Sequence, residues 1–198
     1  SLEVYGTITN DSKPLTEEAQ GFLNPMDVRS SYPMAKRAAE TLCHNYAKEY
    51  GTHTKVARLA QTFGAGVTKN DNRVFAQFAR SIINGEDIIM HTKGELCRCY
   101  CYTTDAIAAM LYILLRGKDG EAYNVANETT YISIKDMATF LAETFNPKVK
   151  VVVELKENMG YSPTTKLRLS TNKIQQLGWT PHYNLQEMFH RLIESLKQ

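Results

Sequence analysis

The sequence lacks the patterns that mark nucleic-acid-binding and membrane proteins. It has no run of basic residues and no ladder of alternating aromatic and basic residues, and its formal net charge is only +2. Nucleic acid is therefore not expected as a partner. No apolar run approaches the roughly 20 residues that cross a bilayer, and no signal peptide is visible. These absences predict a cytoplasmic protein that has no membrane partner.

Metal-binding patterns are also missing, although the chain contains four cysteines. Cys97, Cys99 and Cys101 alternate along one predicted strand and share one of its faces, where neighbours are too far apart for an easy disulfide. Neither a Cys-x-x-Cys motif nor a pair of histidines completes a zinc set with them or with Cys43. The sequence predicts buried, reduced thiols and no metal site.

The chain does have the composition and element order of an α/β protein. Its 198 residues, 43% hydrophobic and 22% charged, suit one globular domain or one domain with part of another. Helical periodicity predicts helices at 32–50, 73–84, 105–115, 134–144, 171–177 and 185–196. Strands are predicted at 55–60, 87–91, 98–102, 121–125 and 149–154, with the end of another strand at 1–6. Residues 7–29 and 61–72 are predicted to be loops.

The stretch Tyr32-Pro-Met-Ala-Lys36 carries the clearest chemistry in the chain. Ser30 or Ser31 can cap the helix that begins here, and Pro33 suits its first turn because a missing N–H costs nothing there. Tyr32 and Lys36 are four residues apart, so they lie on one helical face. An ammonium group beside a phenol favours the phenolate, which can exchange a proton with a hydroxyl or a carbonyl. The alternative is a chance pair on a partly exposed helix.

Several segments, in order along the chain, carry a resemblance to a known family. They are Ser1-Leu-Glu-Val-Tyr-Gly6, Tyr32-Pro-Met-Ala-Lys36, Arg58-Leu-Ala-Gln-Thr-Phe-Gly64, Asn72-Arg73-Val74, Arg98 to Asp105, Asn124-Val-Ala-Asn127 and Lys173-Ile-Gln-Gln-Leu-Gly-Trp-Thr-Pro181. In these segments the chain resembles the extended short-chain dehydrogenase/reductases that act on nucleotide sugars: epimerases, 4,6-dehydratases and uronate decarboxylases. The resemblance implies NAD as the cofactor and a nucleoside-diphosphate sugar as the substrate.

The chain departs from the family pattern at several points. Gln61 stands where the family has a substrate-contacting Asn, Ala65 replaces a Pro, and Ala126 replaces a Gly. The family's amino-terminal Gly-x-x-Gly-x-x-Gly turn is absent from the sequence. Gly64-Ala-Gly66 follows a predicted strand but lacks a third glycine at the required place, so it is not a dinucleotide fingerprint. The chain looks like the carboxy-terminal two-thirds of such an enzyme, and we expect it to be inactive alone.

The fold implied by the resemblance is α/β with two parts. An incomplete Rossmann-type parallel sheet with helices comprises residues 1–60 and about 103–127, as the remainder of the NAD-binding domain. A small α/β substrate-binding domain comprises residues of about 61–102 and 128–198.

The resemblance also implies catalytic roles near Tyr32. Tyr32 is expected to remove a proton from the sugar during transient oxidation at C4, Ser1 to bond the same oxygen, and Lys36 to bind the nicotinamide ribose. For Ser1, the first residue, a frayed terminus is the alternative. Glu3 follows Ser1 by two residues with Leu2 between them, which favours decarboxylation or an uncommon epimerisation over 4,6-dehydration. The alternative for Glu3 is a solvated loop carboxylate.

The residues expected to bind the nucleotide sugar are Gln61, Arg73, Arg98 and Arg168. Guanidinium groups bind phosphate in a bidentate manner. Arg98 stands inside an otherwise apolar strand, where it needs a partner. Structural alternatives are an ion pair of Arg98 with Asp105 or Glu95, and a solvated Arg73.

Two other functions stay open at this point. The chain could be a module that binds a nucleotide sugar without turnover, or a dimerisation element, because in the family the Tyr32 helix commonly contributes to a dimer's four-helix bundle. Ala38, Leu42 and Tyr46 on this helix, and the strand at 55–60, present apolar faces without a visible partner. We therefore expect a homodimer through the Tyr32 helix.

Overall fold

A computed structural model describes residues 1–156 and 164–198 of the chain. In these ranges two short 3-10 helices, Leu2–Tyr5 and Val28–Ser30, precede the first α-helix. The α-helices are α1 (Ser31–Tyr50), α2 (Val74–Asn84), α3 (Thr103–Arg116), α4 (Ile134–Phe145), α5 (Asn172–Gln175) and α6 (Leu185–Lys197). The strands are β1 (Val56–Leu59), β2 (Gln61–Phe63), β3 (Ile88–Met90), β4 (Cys97–Tyr102), β5 (Ala122–Val125), β6 (Asn127–Ser133), β7 (Val151–Val153) and β8 (Lys166–Leu167). The α/β prediction is confirmed.

Parallel pairing dominates the sheets. β1 pairs with β5, β2 with β4 and β3 with β7, each in parallel. β4 also pairs with β6 in the antiparallel sense and with β8 in parallel, which completes a four-stranded sheet. Within the described ranges, the outer edge of β1 pairs with no further strand. Because parallel strands are normally enclosed in larger sheets, this edge is open to another strand.

Three clusters of buried side chains hold these elements together. The largest lies between α2, α4 and α6, where helical spacing places Phe75, Phe78 and Ile82 of α2 on one face. The second joins the 3-10 helix Leu2–Tyr5 to β4 and β8. The third packs α3 and Trp179 against β1 and β5. Among the candidate site residues, Arg98 lies on β4, which contributes buried side chains to both of the first two clusters.

Helix α1 buries very little of its surface. Only Pro33 among its 20 residues is buried. Leu42, Tyr46 and Tyr50 are 58%, 52% and 71% exposed. The helix ends as predicted at Gly51, whose φ of 65° is a conformation that glycine adopts readily. The predicted apolar stripe of α1 therefore faces away from the described part of the chain.

Several predictions about local structure are wrong. Residues 2–5 form a 3-10 helix and not the end of a strand, because the N–H groups of Val4 and Gly6 donate to carbonyls three residues earlier. Part of the predicted loop at 61–72 forms β2, and β6 was not predicted, because their partner β4 is distant in sequence. In contrast, the strands predicted at 87–91 and 98–102 are present as β3 and β4, and β3 pairs with β7.

The predicted cap of α1 is also wrong. Ser30 occupies the N-cap position of α1, but its side chain makes no capping hydrogen bond. Helix α3 begins at Thr103 itself, with Tyr102 at the N-cap position and again no side-chain cap. In contrast, the side chains of Ser133 and Asn184 cap α4 and α6.

Candidate active site

Tyr32 meets Ser1 at the amino-terminal end of α1. The Tyr32 hydroxyl donates to Ser1 Oγ over 3.4 Å, and Lys36 Nζ lies 5.5 Å from the centroid of the Tyr32 ring. Tyr32 is 53% exposed, so its hydroxyl can be reached from solvent. The Ser1 hydroxyl also accepts the backbone N–H of Glu3 over 3.3 Å and caps the 3-10 helix. The three side chains predicted as an acid–base group are thus neighbours.

Glu3 joins this group to Arg98. A carboxylate oxygen of Glu3 lies 3.4 Å from Arg98 Nη2, and the Arg98 side chain is only 12% exposed. The two residues named as structural partners of Arg98 are elsewhere: Asp105 accepts the backbone N–H groups of His182 and Tyr183, and Glu95 makes no ion pair with Arg98. Nη1 of Arg98 is buried and has no hydrogen-bond partner in the described residues. A buried donor without a partner is costly, so Arg98 is suited to an anionic ligand.

A cavity of about 780 Å³ opens beside this ion pair. Of the residues predicted to bind substrate, Gln61, Arg73 and Arg98 line it, together with Glu3. The remaining wall comes mainly from the first turn of α2, from β3 and from the segment that joins β3 to β4. Gly94 in that segment has a φ of 68°, and a Cβ there would lie 2.8 Å from the backbone nitrogen of Lys135. Glycine is therefore required for the close approach that shapes this wall.

The two further predicted arginines differ from Arg98. Arg73 already pairs in a bidentate manner with Asp71, is about half exposed, and its guanidinium lies 4.7 Å from the centroid of the Phe75 ring. Arg168 is exposed between the buried residues Leu167 and Leu169 and does not line the cavity. The structure therefore brings Arg73 to the cavity and leaves Arg168 outside it.

Some residues of the cavity were missed by sequence reasoning. His91 and Lys93 line it directly after β3. The His91 ring is held between the carbonyl of Glu154 and the ammonium of Lys156. A signal existed for both, since ligands in α/β folds bind at the carboxyl ends of parallel strands. Trp179 lies in the core and not in this cavity: it is buried, and its indole N–H donates to the carbonyl of Asp105.

Two of the cysteines, Cys99 and Cys101, are buried. Burial raises the pKa of the Cys99 thiol to about 11 and that of the Cys101 thiol to about 12. All four cysteines are free, as predicted, but Cys43 and Cys97 are only half-buried, so the prediction of burial holds for two of the four. Within residues 1–156 and 164–198, no group of three or more His, Cys, Asp or Glu side chains could hold a metal ion. In the same ranges, no helix has both the length and the hydropathy to cross a membrane.

The residues of this chain fit one side of a dinucleotide. Tyr32 and Lys36 are both exposed and lie next to each other on α1, where they present donors. For the pyrophosphate side, Gly64 and Gly66 follow β2, but within residues 64–73, all of which the structure describes, no helix begins before Val74. A phosphate-binding turn needs a helix amino terminus directly after the glycines. The prediction that Gly64-Ala-Gly66 is not such a turn is confirmed.

Comparisons with known proteins identify the family of the chain. The model of the "NAD dependent epimerase/dehydratase family" matches residues 1–126. The chain is 30% identical over 185 residues to UDP-glucuronic acid decarboxylase 5 of Arabidopsis thaliana, covering 93% of this chain and 52% of the relative. It is 29% identical over 196 residues to UDP-glucuronic acid decarboxylase 1 of Xenopus tropicalis, covering 99% and 45%. The chain thus spans about half the length of the curated relatives it matches.

Solved structures show the same fold. UDP-glucose 4-epimerase of Thermotoga maritima, solved with UDP-glucose, matches with a TM-score of 0.80 and 23% identity over 98% of this chain and 60% of that chain. A dTDP-glucose 4,6-dehydratase of Bacillus anthracis, solved with NAD, matches with a TM-score of 0.79 and 17% identity over 100% and 60%. The predicted Rossmann-type fold is therefore confirmed. The family model covers more than half of the sequence, and the chain belongs to the NAD-dependent epimerase/dehydratase family, whose cofactor is NAD.

Proposed function

We propose that this chain provides the substrate-binding and acid–base side of an enzyme that modifies a nucleoside-diphosphate sugar through transient oxidation at C4. Within that class, decarboxylation of a UDP-linked uronate is the reaction it supports best. Two features favour the finer assignment: Glu3 follows Ser1 without an acidic residue between them, and relatives matched over most of the chain are named UDP-glucuronic acid decarboxylases. The proposed arrangement places residues 1–60 and about 103–127 on the cofactor side and the remainder on the substrate side.

One observation carries this proposal: an unbroken run of contacts leads from the acid–base group into the cavity. Tyr32 contacts Ser1, Ser1 contacts the backbone of Glu3, and the Glu3 carboxylate contacts Arg98. A sugar at the Ser1 end of the cavity would therefore be joined to a diphosphate near Arg98 within one connected space. Reacting groups held in this way gain the rate advantage of proximity and orientation.

In the proposed mechanism the residues of the chain bind, orient and move a proton. Tyr32 accepts the proton of the C4 hydroxyl, and Ser1 donates a hydrogen bond to the same oxygen and holds it near Tyr32. Lys36, whose Nζ lies 5.5 Å from the centroid of the Tyr32 ring, supplies a donor on the cofactor side. NAD, when bound, supplies the hydride acceptor.

The cavity walls supply the substrate contacts. We assign Arg98 to the diphosphate because its Nη1 is a buried donor without a partner in the described residues. Gln61 and Arg73 are assigned to the nucleotide sugar because they line the same cavity. Glu3 is assigned to the sugar itself, since its carboxylate faces the cavity beside Ser1. Arg168 is left out of this proposal because it lies outside the cavity.

Replacement of Tyr32 by Phe tests the function. The chain, and any longer protein encoded with it, is incubated with NAD and UDP-glucuronic acid, and UDP-pentose and carbon dioxide are measured. Tyr32→Phe should lower turnover by roughly two to four orders of magnitude, as expected for loss of a positioned acid–base group, while UDP binding stays within a factor of about two. Tyr46→Phe is the matched control, because Tyr46 lies on the same helix, is 52% exposed and has no contact with Ser1.

The substrate class is tested by exchange of the sugar. UDP-glucose, UDP-galactose and dTDP-glucose are incubated in parallel, and epimers or 4-keto-6-deoxy sugars are sought by mass spectrometry and chromatography. If UDP-glucose were the only sugar nucleotide turned over, the decarboxylase assignment would be wrong, whereas the proposed oxidation at C4 would still stand. Turnover by Tyr32→Phe within a few-fold of the parent would contradict the mechanism.

A second candidate is a chain that binds a nucleotide sugar, or dimerises, without activity of its own. Two observations favour it: α1 exposes its apolar side chains, and the edge of β1 is open. Isothermal titration with a UDP-sugar separates the two candidates. Binding of the UDP-sugar without turnover in the presence of NAD would identify a binding module. If the chain neither binds nor turns over the UDP-sugar, the dimerisation element is the function that remains.

A further inference from the structure

Helix α1 carries Tyr32 and Lys36, yet apolar packing does little to hold it. Only Pro33 of this helix is buried, and the helix meets the rest of the chain mainly at the two 3-10 helices. A helix that buries a single residue gains little from the hydrophobic effect. Polar contacts must therefore decide where Tyr32 lies relative to Ser1.

Arg58 on β1 makes the most extensive of these contacts. Its Nε and Nη2 atoms donate to both carboxylate oxygens of Glu40 on α1, over 3.0–3.1 Å and 2.7 Å. Its Nη1 donates to the Tyr5 hydroxyl over 3.1 Å and to the carbonyl of Glu17 over 2.6 Å. The side chains of Arg58 and Glu40 are only 14% and 17% exposed. One guanidinium group thus joins a strand, a helix, the 3-10 helix and a loop.

Tyr5 gives this junction a rigid connection to the catalytic turn. It ends the 3-10 helix Leu2–Tyr5, which begins at Ser1 and includes Glu3, and it is fully buried. Its hydroxyl donates to Asn124 Oδ1 over 2.6 Å while it accepts from Arg58. Burial raises the pKa of Tyr5, so the hydroxyl keeps the proton that it donates to Asn124.

The charge of Arg58 is secure in this setting. Burial opposes it, but the hydrogen bonds with Glu40 and Tyr5 raise the pKa of Arg58 above its usual value. A lysine could not replace it, because a single ammonium group cannot present a planar fork to Glu40 and a separate donor to Tyr5.

We propose that Arg58 is a positioning residue, which holds the turn with Ser1 and Glu3 at a set distance from the helix with Tyr32 and Lys36. It touches no substrate itself. Its catalytic consequence rests on the proposed function, whereas its effect on the turn does not. A displacement of about 1 Å between catalytic groups can cost roughly 100-fold in rate.

The experiment uses variants that separate positioning from stability. Arg58→Met alone leaves Glu40 as a poorly solvated carboxylate without its partner, which can destabilise the whole chain. The double variant Arg58→Met with Glu40→Leu removes both charges, so the fold retains most of its stability. Arg58→Lys tests the need for the fork. Arg116→Met is the matched control, because Arg116 also lies over a tyrosine ring and donates to a carbonyl, but at the end of α3.

Amide hydrogen exchange of the chain is the first readout. The N–H groups of Glu3, Val4 and Gly6 are hydrogen-bonded within the turn. In the double variant the exchange of these N–H groups should accelerate at least about tenfold, because local opening of the turn no longer has to break the contacts of Arg58. The amides of α2 should exchange at the rate of the parent. Unchanged exchange at the turn, or equal acceleration in both places, would overturn the proposal.

Steady-state kinetics of the active enzyme are the second readout. The double variant and Arg58→Lys should lower kcat by roughly 10- to 100-fold with KM for the nucleotide sugar within about threefold. Arg116→Met should match the parent. Unchanged kcat, or a rise in KM that accounts for the whole loss, would overturn the catalytic part. If the parent gives no turnover, the proposed function fails, and the exchange result still decides whether Arg58 holds the turn.

Discussion

Replacement of Arg98 by methionine should weaken the binding of a nucleoside diphosphate far more than that of the nucleoside. The side chain is 12% exposed and its Nη1 has no partner among the described residues. Methionine keeps much of the volume and removes the donors. Glu3 loses its partner in this variant, but its side chain is 45% exposed and can be solvated. The free energy of unfolding should therefore change little.

The magnitude follows from the kind of contact that is lost. Hydrogen bonds to charged groups contribute about 1.5–3 kcal/mol each, which corresponds to a rise in Kd of roughly 10- to 150-fold. Arg73→Met serves as the control. Arg73 is 49% exposed and already paired with Asp71, so its removal should cost less than about 1 kcal/mol, or under about sixfold in Kd.

Isothermal titration with UDP and with uridine measures both effects. UDP should lose affinity in Arg98→Met, and uridine should bind the variant and the parent alike within about a factor of two. The reasoning is wrong if both ligands lose affinity equally, if Arg73→Met matches Arg98→Met, or if the parent fails to bind UDP. Circular dichroism of each variant excludes a loss of fold as the cause.

Three further outcomes are expected. The chain should self-associate through α1 in sedimentation experiments, and Leu42→Glu should shift it to a monomer. Leu114→Glu on α3 should not, although Leu114 is 62% exposed and Leu42 is 58% exposed. A monomeric parent would contradict this prediction. The chain alone should retain no NAD after gel filtration, and a stoichiometric amount of bound NAD would contradict this prediction. Stability should fall as pH rises from about 9, because burial raises the pKa of Cys99 to about 11 and that of Cys101 to about 12 from values near 9 in the unfolded chain. The neutral thiols therefore contribute stability fully below pH 9, and this contribution is lost as the pH rises through the raised pKa values. The variant Cys101→Ala should flatten the decline of Tm with pH. A Tm of the parent that stays constant from about pH 8 to about pH 11 would refute the assignment.

Local signals in the sequence were sufficient for most elements. The helix at α1 follows from Pro33 in its first turn and Gly51 at its end, and α6 follows from Asn184 at its start. These signals act over one or two helical turns, so neighbouring residues are enough to establish them. The same holds for the Tyr32 and Lys36 pair, since four-residue spacing on a helix alone places them on one face.

Elements that depend on distant partners were beyond the reach of local signals. β2 and β6 form because β4 offers them hydrogen bonds. Gln61 of β2 pairs with Tyr100 of β4, and Ser133 of β6 pairs with Cys97 of β4, so these partners are 30 or more residues apart in the sequence. The 3-10 helix at Leu2–Tyr5 was mistaken for a strand because its apolar residues are compatible with both. Burial of Tyr5 against Asn124 selects the helical turn in the folded chain.

Tertiary structure alone decided which charged groups meet at the site. Motif positions named Glu3 and Arg98 as candidates, but their ion pair joins residues that are distant in the sequence, and Asp105, a proposed partner of Arg98, instead holds the backbone before α6. The role of Arg58 could not be read from the sequence either, because its partners Tyr5 and Glu40 come from separate elements. Sequence spacing determines which side chains share a face of one helix or strand, whereas contacts between elements depend on how the whole chain packs.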